Sequence, residues 1–374
     1  MIKNNPIPLF KVFMPKSVWA PVKKTLFSGY IGQGPRVDEF EKALAKFIGN
    51  PLVLTVSNGT AGLQLALRLA GVGRDDEVIT TPMTCTATNW PILAAGAKPV
   101  WADIKPKTGN INPQAVAKLI TKKTRAILAV DWGGSPCDYQ TLKKIARSPE
   151  GKKIPIIEDA AHAFGASYKD QKIGQVADFT VFSFGAIKHL STVEGGAIFV
   201  KNKRIYQEGK LLRWYGLNRE VPQKDFRCEQ EIKEWGYKLN FNDVFATVGL
   251  EQLKHVPQIL KKHRANARFY RHHLSELKNV TLLEEKKDRL SAYWLFTIKV
   301  KKRDQFIKYM KKKGIATSQV HARNDKYACV RQFRRPLPQL EKFVKEMVSI
   351  PVGWWVTKKQ REHIAKTIKK FSQS

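Results

Sequence analysis

The chain has 374 residues, of which 43% are hydrophobic and 26% charged, a balance that excludes a chain disordered along its whole length. This length predicts two domains, or one large α/β domain with a smaller companion. Lys and Arg number 66 against 32 Asp and Glu, which gives a net charge of +34 and raises the possibility of a nucleic-acid or other polyanion partner.

Short apolar, β-branched runs alternate with helical patterns through the first two-thirds of the chain. Strands are predicted at 52–56, 77–80, 99–102, 126–130, 154–157, 179–182 and 197–200. Helices are predicted between some of them, at 61–70, 113–120 and 139–147. This alternation predicts an α/β fold with a mostly parallel sheet covered by helices on both faces. Side chains that contact a ligand are then expected at the carboxyl ends of the strands.

The pattern changes after a long helical segment at 242–277, which is broken near Pro257. Strands are predicted beyond it at 280–283 and 293–300, and helices at 303–313 and 358–371. We therefore expect a large domain over residues 1–254 and a small α+β domain over residues 255–374. The basic residues are densest in the last two helices. Apolar residues at helical spacing there favour solvated helix faces over a dedicated polyanion site.

The cysteines are Cys85, Cys137, Cys228 and Cys329; they form no CxxC pair and have no metal-site spacing. They predict reduced thiols in a cytoplasmic protein without a metal site. No run approaches the roughly 20 apolar residues that span a bilayer. The first residues also lack the apolar core of a signal peptide, so we expect neither a membrane segment nor secretion.

The first motif that can carry chemistry is Ser57-Asn58-Gly59-Thr60-Ala61, between the strand at 52–56 and a helix. Free N–H groups and the positive end of the helix dipole make such a start suitable for an anion, and Gly59 permits close approach. Ser, Asn and Thr are also ordinary N-cap residues. The segment alone therefore does not separate a phosphate site from a plain helix start.

The second motif contains Asp159 and His162, just beyond the strand at 154–157. An acid at the end of a strand can face a ligand, but it can equally cap the next helix. His162 can contact a ligand or be a satisfied structural histidine. Both interpretations remain open for this motif by itself.

The third motif is the largely apolar run FSFGAIKH at 182–189, which contains a single lysine, Lys188. A desolvated lysine has a lowered pKa and becomes a nucleophilic amine. The alternative is a surface lysine whose aliphatic stem packs on apolar neighbours.

The three motifs together are more specific than any one of them. They supply an anion site, an acid able to pair with a pyridinium nitrogen, and an apolar lysine 29 residues after that acid. This is the set that a pyridoxal 5′-phosphate (PLP) enzyme requires. The acid keeps the ring protonated so that it accepts electrons, and the lysine holds the cofactor and moves a proton.

The chain resembles the DegT/DnrJ/EryC1/StrS sugar aminotransferases, which are PLP enzymes of fold type I. The resemblance begins at Gly29 and at residues 34–41 and covers nearly the whole chain. It then follows the motifs SNGTAGLQLAL, TPMTCTATN, IIEDAAHAFGA, FSFGAIKHLSTVEGG, GYKLNFNDVFAT, VHARND and SIPVGWW. It implies a large domain with a mostly parallel sheet flanked by helices, and a smaller C-terminal α+β domain.

The resemblance also implies roles for residues at matching positions. Lys188 matches the Schiff-base lysine, Asp159 the partner of the pyridine nitrogen, and His162 a residue that hydrogen-bonds the phenolic oxygen. The phosphate site is matched by Gly59, Thr60, Ala61 and the hydroxyl of Ser183.

Other matching positions imply contacts with a second subunit and with the substrate. Asn240 matches an asparagine that reaches the phosphate of the neighbouring subunit, although some family members have that asparagine where Lys238 stands here. The resemblance thus implies a homodimer with composite sites. His321 and Arg323 match a segment near the sugar nucleotide.

Cys85 departs from the family pattern, because an aromatic side chain usually stands there and stacks on the cofactor ring. We expect Cys85 to lie against the ring as a small packing residue. Trp90, close by in the sequence, is a candidate to cover the ring instead.

The resemblance implies an aminotransferase that converts a nucleotide-linked keto-deoxy sugar to an amino sugar, with L-glutamate as donor and pyridoxamine 5′-phosphate in the cycle. A cyclitol or other keto substrate is an alternative. A dehydratase on the same scaffold would have His in place of Lys188. A basic nucleic-acid-binding protein on a dead enzyme scaffold would not need to retain Asp159, His162 and Lys188 together.

Overall fold

The computed structural model describes residues 6–221 and 231–373. Its α-helices are α1 (Trp19–Leu26), α2 (Pro35–Ile48), α3 (Gly59–Leu69), α4 (Thr86–Ala94), α5 (Pro113–Ala117), α6 (Tyr139–Ile145), α7 (Lys203–Leu212), α8 (Asp243–Leu253), α9 (Val256–Leu274), α10 (Arg303–Lys312), α11 (Pro338–Glu346) and α12 (Lys358–Gln373). Its strands are β1 (Val53–Val56), β2 (Glu77–Thr80), β3 (Lys98–Trp101), β4 (Thr124–Val130), β5 (Ile156–Asp159), β6 (Ser167–Tyr168), β7 (Gln171–Lys172), β8 (Phe179–Ser183), β9 (Gly196–Val200), β10 (Val280–Leu282), β11 (Arg289–Leu290), β12 (Phe296–Val300) and β13 (Met347–Ile350).

A seven-stranded sheet in the order β1-β9-β8-β5-β4-β2-β3 forms the centre of the molecule. The strands from β8 to β3 pair in parallel, and β9 runs antiparallel to both of its neighbours. Adjacent residues of one strand, such as Ile127 and Leu128 of β4, belong to different hydrophobic cores on the two faces of the sheet, because side chains alternate across a strand. Both faces of the sheet are therefore buried, and the predicted mostly parallel α/β architecture is confirmed.

Two strands differ from their predicted bounds in ways that matter to the site. The strand predicted at 154–157 is observed as β5, so Asp159 is its last residue. The strand predicted at 293–300 begins only at Phe296. Tyr293 has a φ of 52°, a left-handed conformation that a strand does not contain.

The helical pattern at 242–277 is divided into α8 and α9, with the break before Pro257. Pro257 lies in the first turn of α9, where a missing N–H removes no intrahelical bond.

A second, antiparallel sheet in the order β10-β12-β13 lies in the C-terminal part of the chain. Side chains of this sheet and of α9, α10 and α12 share a core of their own, which Ile7 of the N-terminal segment joins. We propose that the small domain begins at α9, as the division at residues 254 and 255 predicts. The separate sheet and core support this proposal.

Cys85, Cys137 and Cys329 are free thiols, and Cys228 lies outside the described residues. Among the helices that the structure describes, none is both long and apolar enough to cross a membrane.

Candidate active site

The carboxyl ends of β1, β5 and β8 lie at one edge of the central sheet, since these three strands run in the same direction. The SNGTA segment follows β1, Asp159 ends β5, and Ser183 ends β8. Lys188 follows β8 in a turn. The sheet therefore brings the three predicted motifs together at the edge where ligands bind in α/β folds.

Asp159 is buried and accepts two hydrogen bonds, from Thr88 Oγ1 at 2.6 Å and from the Ala161 N–H at 3.1 Å. The residues that follow it form turns and not a helix, so Asp159 is not a helix cap. Burial raises the pKa of Asp159, while the Thr88 and Ala161 bonds and the charge of Lys188 oppose that shift. The carboxylate is thus held by donors next to a cation.

Lys188 is half-buried and close enough to Asp159 for the two charges to interact. Its Nζ is 3.9 Å from the centroid of the Trp294 ring. Burial lowers the pKa of Lys188 to about 8, against the opposing effect first of Asp159 and then of Cys85. About a tenth of the amine is therefore neutral at pH 7, a far larger fraction than for a solvated surface lysine.

His162 is buried, and its ring stacks on Trp294 with centroids 3.9 Å apart. Burial, followed by the charge of Lys188, lowers the pKa of His162 well below its usual range, so the imidazole is neutral. Within residues 6–221 and 231–373, His162 Nδ1 has no hydrogen-bond partner. An unpaired buried ring nitrogen beside Lys188 is suited to pair with a polar atom of a ligand.

The SNGTA segment forms the start of α3 as expected. The Asn58 side chain accepts the Ala61 N–H at 2.8 Å. Gly59 and Thr60 precede Ala61 in the first turn, where N–H groups have no acceptor within a helix. A Cβ on Gly59 would lie only 2.9 Å from the Ser183 Cβ. The helix start and Ser183 are therefore adjacent, so both could contact one anion.

Asn240 lies beside this helix start, and Lys238 stands two residues before it in the chain. Asn240 forms a β-bridge with Val56, the last residue of β1, and its Nδ2 donates to the Phe241 carbonyl at 3.0 Å. Lys238 is exposed, with its Nζ 3.8 Å from the centroid of the Trp214 ring.

His321 joins the site, because its ring lies parallel to that of His162 at 5.8 Å. Burial, with a further effect of Lys188, lowers the pKa of His321 to about 4. Arg323 instead forms two hydrogen bonds with Asp325, at 3.0 and 2.7 Å, so its guanidinium is already paired with a carboxylate.

Thr88 and Trp294 are two site residues that the sequence analysis did not identify. Thr88 lies within the TPMTCTATN motif. Its hydroxyl, in the first turn of the helix that follows β2, is the sequence feature that could have marked it. Trp294 lies far from Lys188 in the chain, and no local pattern marks it. Trp90 packs edge-on against Tyr327 with ring centroids 5.9 Å apart, and its role as a cover for the cofactor ring stays a prediction. Cys85 is the N-cap residue just before α4 and is half-buried near Lys188.

These residues fit PLP. The α3 start offers N–H donors to a phosphate, Asp159 offers a carboxylate to a ring nitrogen, and Lys188 offers a partly neutral amine. The unpaired His162 Nδ1 offers a hydrogen-bonding atom next to that amine.

Comparisons with known proteins agree with this chemistry. The sugar aminotransferase CalS13 from Micromonospora echinospora has a TM-score of 0.94 and 40% identity, covering 97% of this chain and 99% of its own. The PLP form of the sugar aminotransferase Spr1654 from Streptococcus pneumoniae, which is described as putative, has a TM-score of 0.89 and 28% identity, covering 98% and 99%. These structures confirm fold type I.

A relative of known sequence is the spore coat polysaccharide biosynthesis protein SpsC from Bacillus subtilis. It is 32% identical over 329 residues, which are 87% of this chain and 82% of that protein. The model of the DegT/DnrJ/EryC1/StrS aminotransferase family matches residues 15–369, and the chain belongs to this family.

Proposed function

We propose that this PLP-dependent aminotransferase transfers an amino group from L-glutamate to a nucleotide-linked keto-deoxy sugar. The observation that carries the proposal is that Lys188, with its pKa lowered to about 8, and the buried Asp159 lie close enough to act on each other's charge. The similarity to the sugar aminotransferase CalS13 supports a sugar as the amino acceptor. The net charge of +34 favours an anionic substrate such as a nucleotide diphosphate.

The protein holds PLP through groups at both ends of the cofactor. The N–H groups of Gly59 and Thr60 and the hydroxyl of Ser183 would bind its phosphate. The N–H of Ala61, which also belongs to the predicted phosphate site, instead donates to Asn58. Asp159 would pair with the ring nitrogen and keep it protonated, because a buried carboxylate strongly favours an adjacent positive charge. Thr88 and Ala161 orient that carboxylate through their hydrogen bonds.

Lys188 supplies the acid–base chemistry. When bound, PLP supplies an aldehyde that exchanges amines and a ring that accepts the electron pair of the donor's α-carbon. Since the pKa of Lys188 is lowered to about 8, its Nζ can accept a proton near neutral pH and return it. His162 is neutral and buried, which suits it to hydrogen bonding and not to proton transfer.

We propose a homodimer as the working form. Apolar side chains exposed in one subunit support this, since Phe27 is 83% and Trp19 72% exposed. Ile187 and Val193, on either side of the Lys188 turn, are also exposed. A partner that covers these residues would place the site at the interface. A cytoplasmic location remains a prediction.

The first test is the absorption spectrum of the purified protein with PLP, before and after L-glutamate. We expect a yellow band that bleaches with glutamate and that is missing in Lys188→Ala. A yellow band indifferent to glutamate would overturn the donor, and no band at all would overturn the residue roles.

The acceptor is tested with a panel of nucleotide keto sugars and keto cyclitols, using amine formation by mass spectrometry. Amination of the cyclitols alone would contradict the sugar-nucleotide proposal.

The composite site is tested by mixing two inactive variants, Lys188→Ala and Asn240→Asp. Recovery of activity in the mixture requires one site to combine residues of both subunits.

A further inference from the structure

Trp294 is the aromatic side chain in contact with Lys188, and it comes from the C-terminal part of the chain. We infer that Trp294 is a positioning residue whose indole fixes the free Lys188 amine at the site and favours its protonated form. The effect of Trp294 on Lys188 does not depend on the proposed function. Its importance for catalysis does rest on the proposed function, because this amine matters to catalysis only if it moves a proton during amine transfer.

The indole contacts Lys188 at two points. The Lys188 Nζ lies 3.9 Å from the ring centroid, a distance at which an ammonium is attracted to the ring face. The indole Nε1–H donates to the Ile187 carbonyl at 2.9 Å, and that carbonyl belongs to the peptide group joined to Lys188. Trp294 therefore restrains both the amine and the backbone that carries it.

The position of Trp294 is itself strongly restrained. It stacks on His162 at 3.9 Å and on Phe10 at 4.9 Å, and it is buried. The residue before it, Tyr293, has a φ of 52°, a conformation that is unfavourable for a bulky residue.

Hydrogen bonds from other elements hold this turn. Arg264 Nε donates to the Ser291 carbonyl at 3.0 Å, and His263 Nδ1 lies 2.9 Å from the Tyr293 carbonyl. The Leu295 N–H donates to the Gly133 carbonyl at 3.1 Å. Strained residues persist where the surroundings determine them in this way, and such residues cluster at functional sites. The turn thus presents a preorganised indole to Lys188.

The charges around Lys188 decide how strongly the indole can affect the pKa of its amine. The titratable groups that act on Lys188, or on which it acts, are Asp159, Cys85, His162, His189 and His321. Burial lowers the pKa of each of the three histidines, to about 4 in His321 and well below the usual range in the other two. Those three rings are therefore neutral at pH 7. The Asp159 carboxylate, the smaller effect of Cys85 and the Trp294 ring face remain to stabilise the ammonium.

The variant Trp294→Leu separates an electrostatic role from simple packing. Leucine keeps the surroundings apolar but removes the ring face that attracts the ammonium, so the pKa of Lys188 should fall. If Trp294 only filled space, the smaller side chain would admit water and the pKa would rise toward that of a solvated lysine. The two roles predict opposite signs.

The experiment measures the pKa of Lys188 from the pH dependence of trace acetylation. It uses the full-length protein freed of PLP and follows the Lys188 peptide by mass spectrometry. We expect about 8 in the wild type and about 7 in Trp294→Leu, because a desolvated cation–π contact corresponds to roughly a tenfold change. Trp354→Leu is the matched control, since that indole contacts Phe13 and Lys11; its Lys188 should keep the wild-type pKa. A pKa in Trp294→Leu at or above the wild-type value overturns the inference.

Two further variants keep the test decisive. Trp294→Phe retains a ring face and loses the Nε1–H, so its Lys188 pKa should stay near the wild-type value. Should Trp294→Leu fail to fold, as judged by circular dichroism, Trp294→Met offers a longer, more adaptable side chain of similar volume without an aromatic ring. Its expected fall in pKa is the same, and an unchanged pKa again overturns the inference.

Single-turnover reaction with L-glutamate supplies the link to catalysis. The midpoint of its pH profile should move down in Trp294→Leu by the same amount as the pKa. A wild-type enzyme that does not react with glutamate would overturn the donor proposal, while the acetylation result would still decide the role of Trp294. Normal turnover with an unmoved pKa would overturn the role of Trp294 alone.

Discussion

Removing the hydroxyl of Thr88 should weaken the enzyme through Asp159. Thr88 Oγ1 donates to Asp159 Oδ2 at 2.6 Å and lies 2.7 Å from Thr84 Oγ1. Both hydrogen bonds are buried, and a hydrogen bond to a charged group is worth about 1.5–3 kcal/mol. In Thr88→Val the carboxylate loses this donor, so the pKa of Asp159, already raised by burial, should rise further.

The consequence for catalysis is a weaker hold on the protonated ring nitrogen. We expect the single-turnover rate with the amino donor to fall by roughly 10- to 100-fold, which corresponds to about 1.4–2.7 kcal/mol. Stopped-flow absorbance at saturating PLP measures this rate. Thr88→Ser, which keeps the hydroxyl, is the matched control and should retain most of the activity.

The same variant should show a pH-dependent loss of stability. Since the folded pKa of Asp159 is raised, its ionisation costs stability as pH rises through that pKa, and the Thr88 bond reduces this cost. Thr88→Val should therefore be more destabilised at pH 7 than at acidic pH, where Asp159 is protonated. Thermal melting across this pH range measures the difference. A rate and a melting profile equal to those of the wild type, in an enzyme that Asp159→Asn inactivates, would refute the argument.

Three further changes have defined outcomes. Gly59→Ala places a Cβ 2.9 Å from that of Ser183 and should weaken PLP binding roughly tenfold, because one phosphate donor is displaced. A fluorescence titration with PLP measures this. Gly73→Ala, which has open space around it, is the control and should bind PLP normally. Arg213→Ala removes the buried guanidinium that lies 2.6 Å from the half-buried carboxylate of Glu41, which keeps only its Thr55 donors. The free energy of unfolding should fall by about 3 kcal/mol; a loss below 1 kcal/mol in urea denaturation would contradict this. Asn324→Ala removes bonds to the Thr84 carbonyl and to Asn89 at 2.9 and 2.8 Å and should cost about 1–3 kcal/mol, seen as a lower melting temperature that Asn324→Asp, which keeps the acceptor, restores in part.

The sequence alone predicted the central sheet and the position of its main catalytic candidates. Apolar runs and helical patterns are local properties that burial on both faces of a parallel sheet imposes on each strand. The motifs around Asp159 and Lys188 directly end or follow strands, so knowing the strands was enough to place both side chains at one edge. The bounds predicted for β5 were only slightly wrong: Asp159 was expected just beyond the strand and is instead its last residue.

Tertiary structure decided which side chains complete the site. Trp294 reaches Lys188 only because an antiparallel sheet and a left-handed turn bring residues 291–295 against the central sheet. Arg323 is paired with Asp325, a partner that its sequence motif does not show. The spacing of apolar residues along the chain predicts which side chains are buried. It does not predict which distant group a side chain contacts, because that depends on how separate elements pack together. Local pattern therefore determined the fold and the acid–lysine pair, and packing between distant segments determined the surroundings that set their charge.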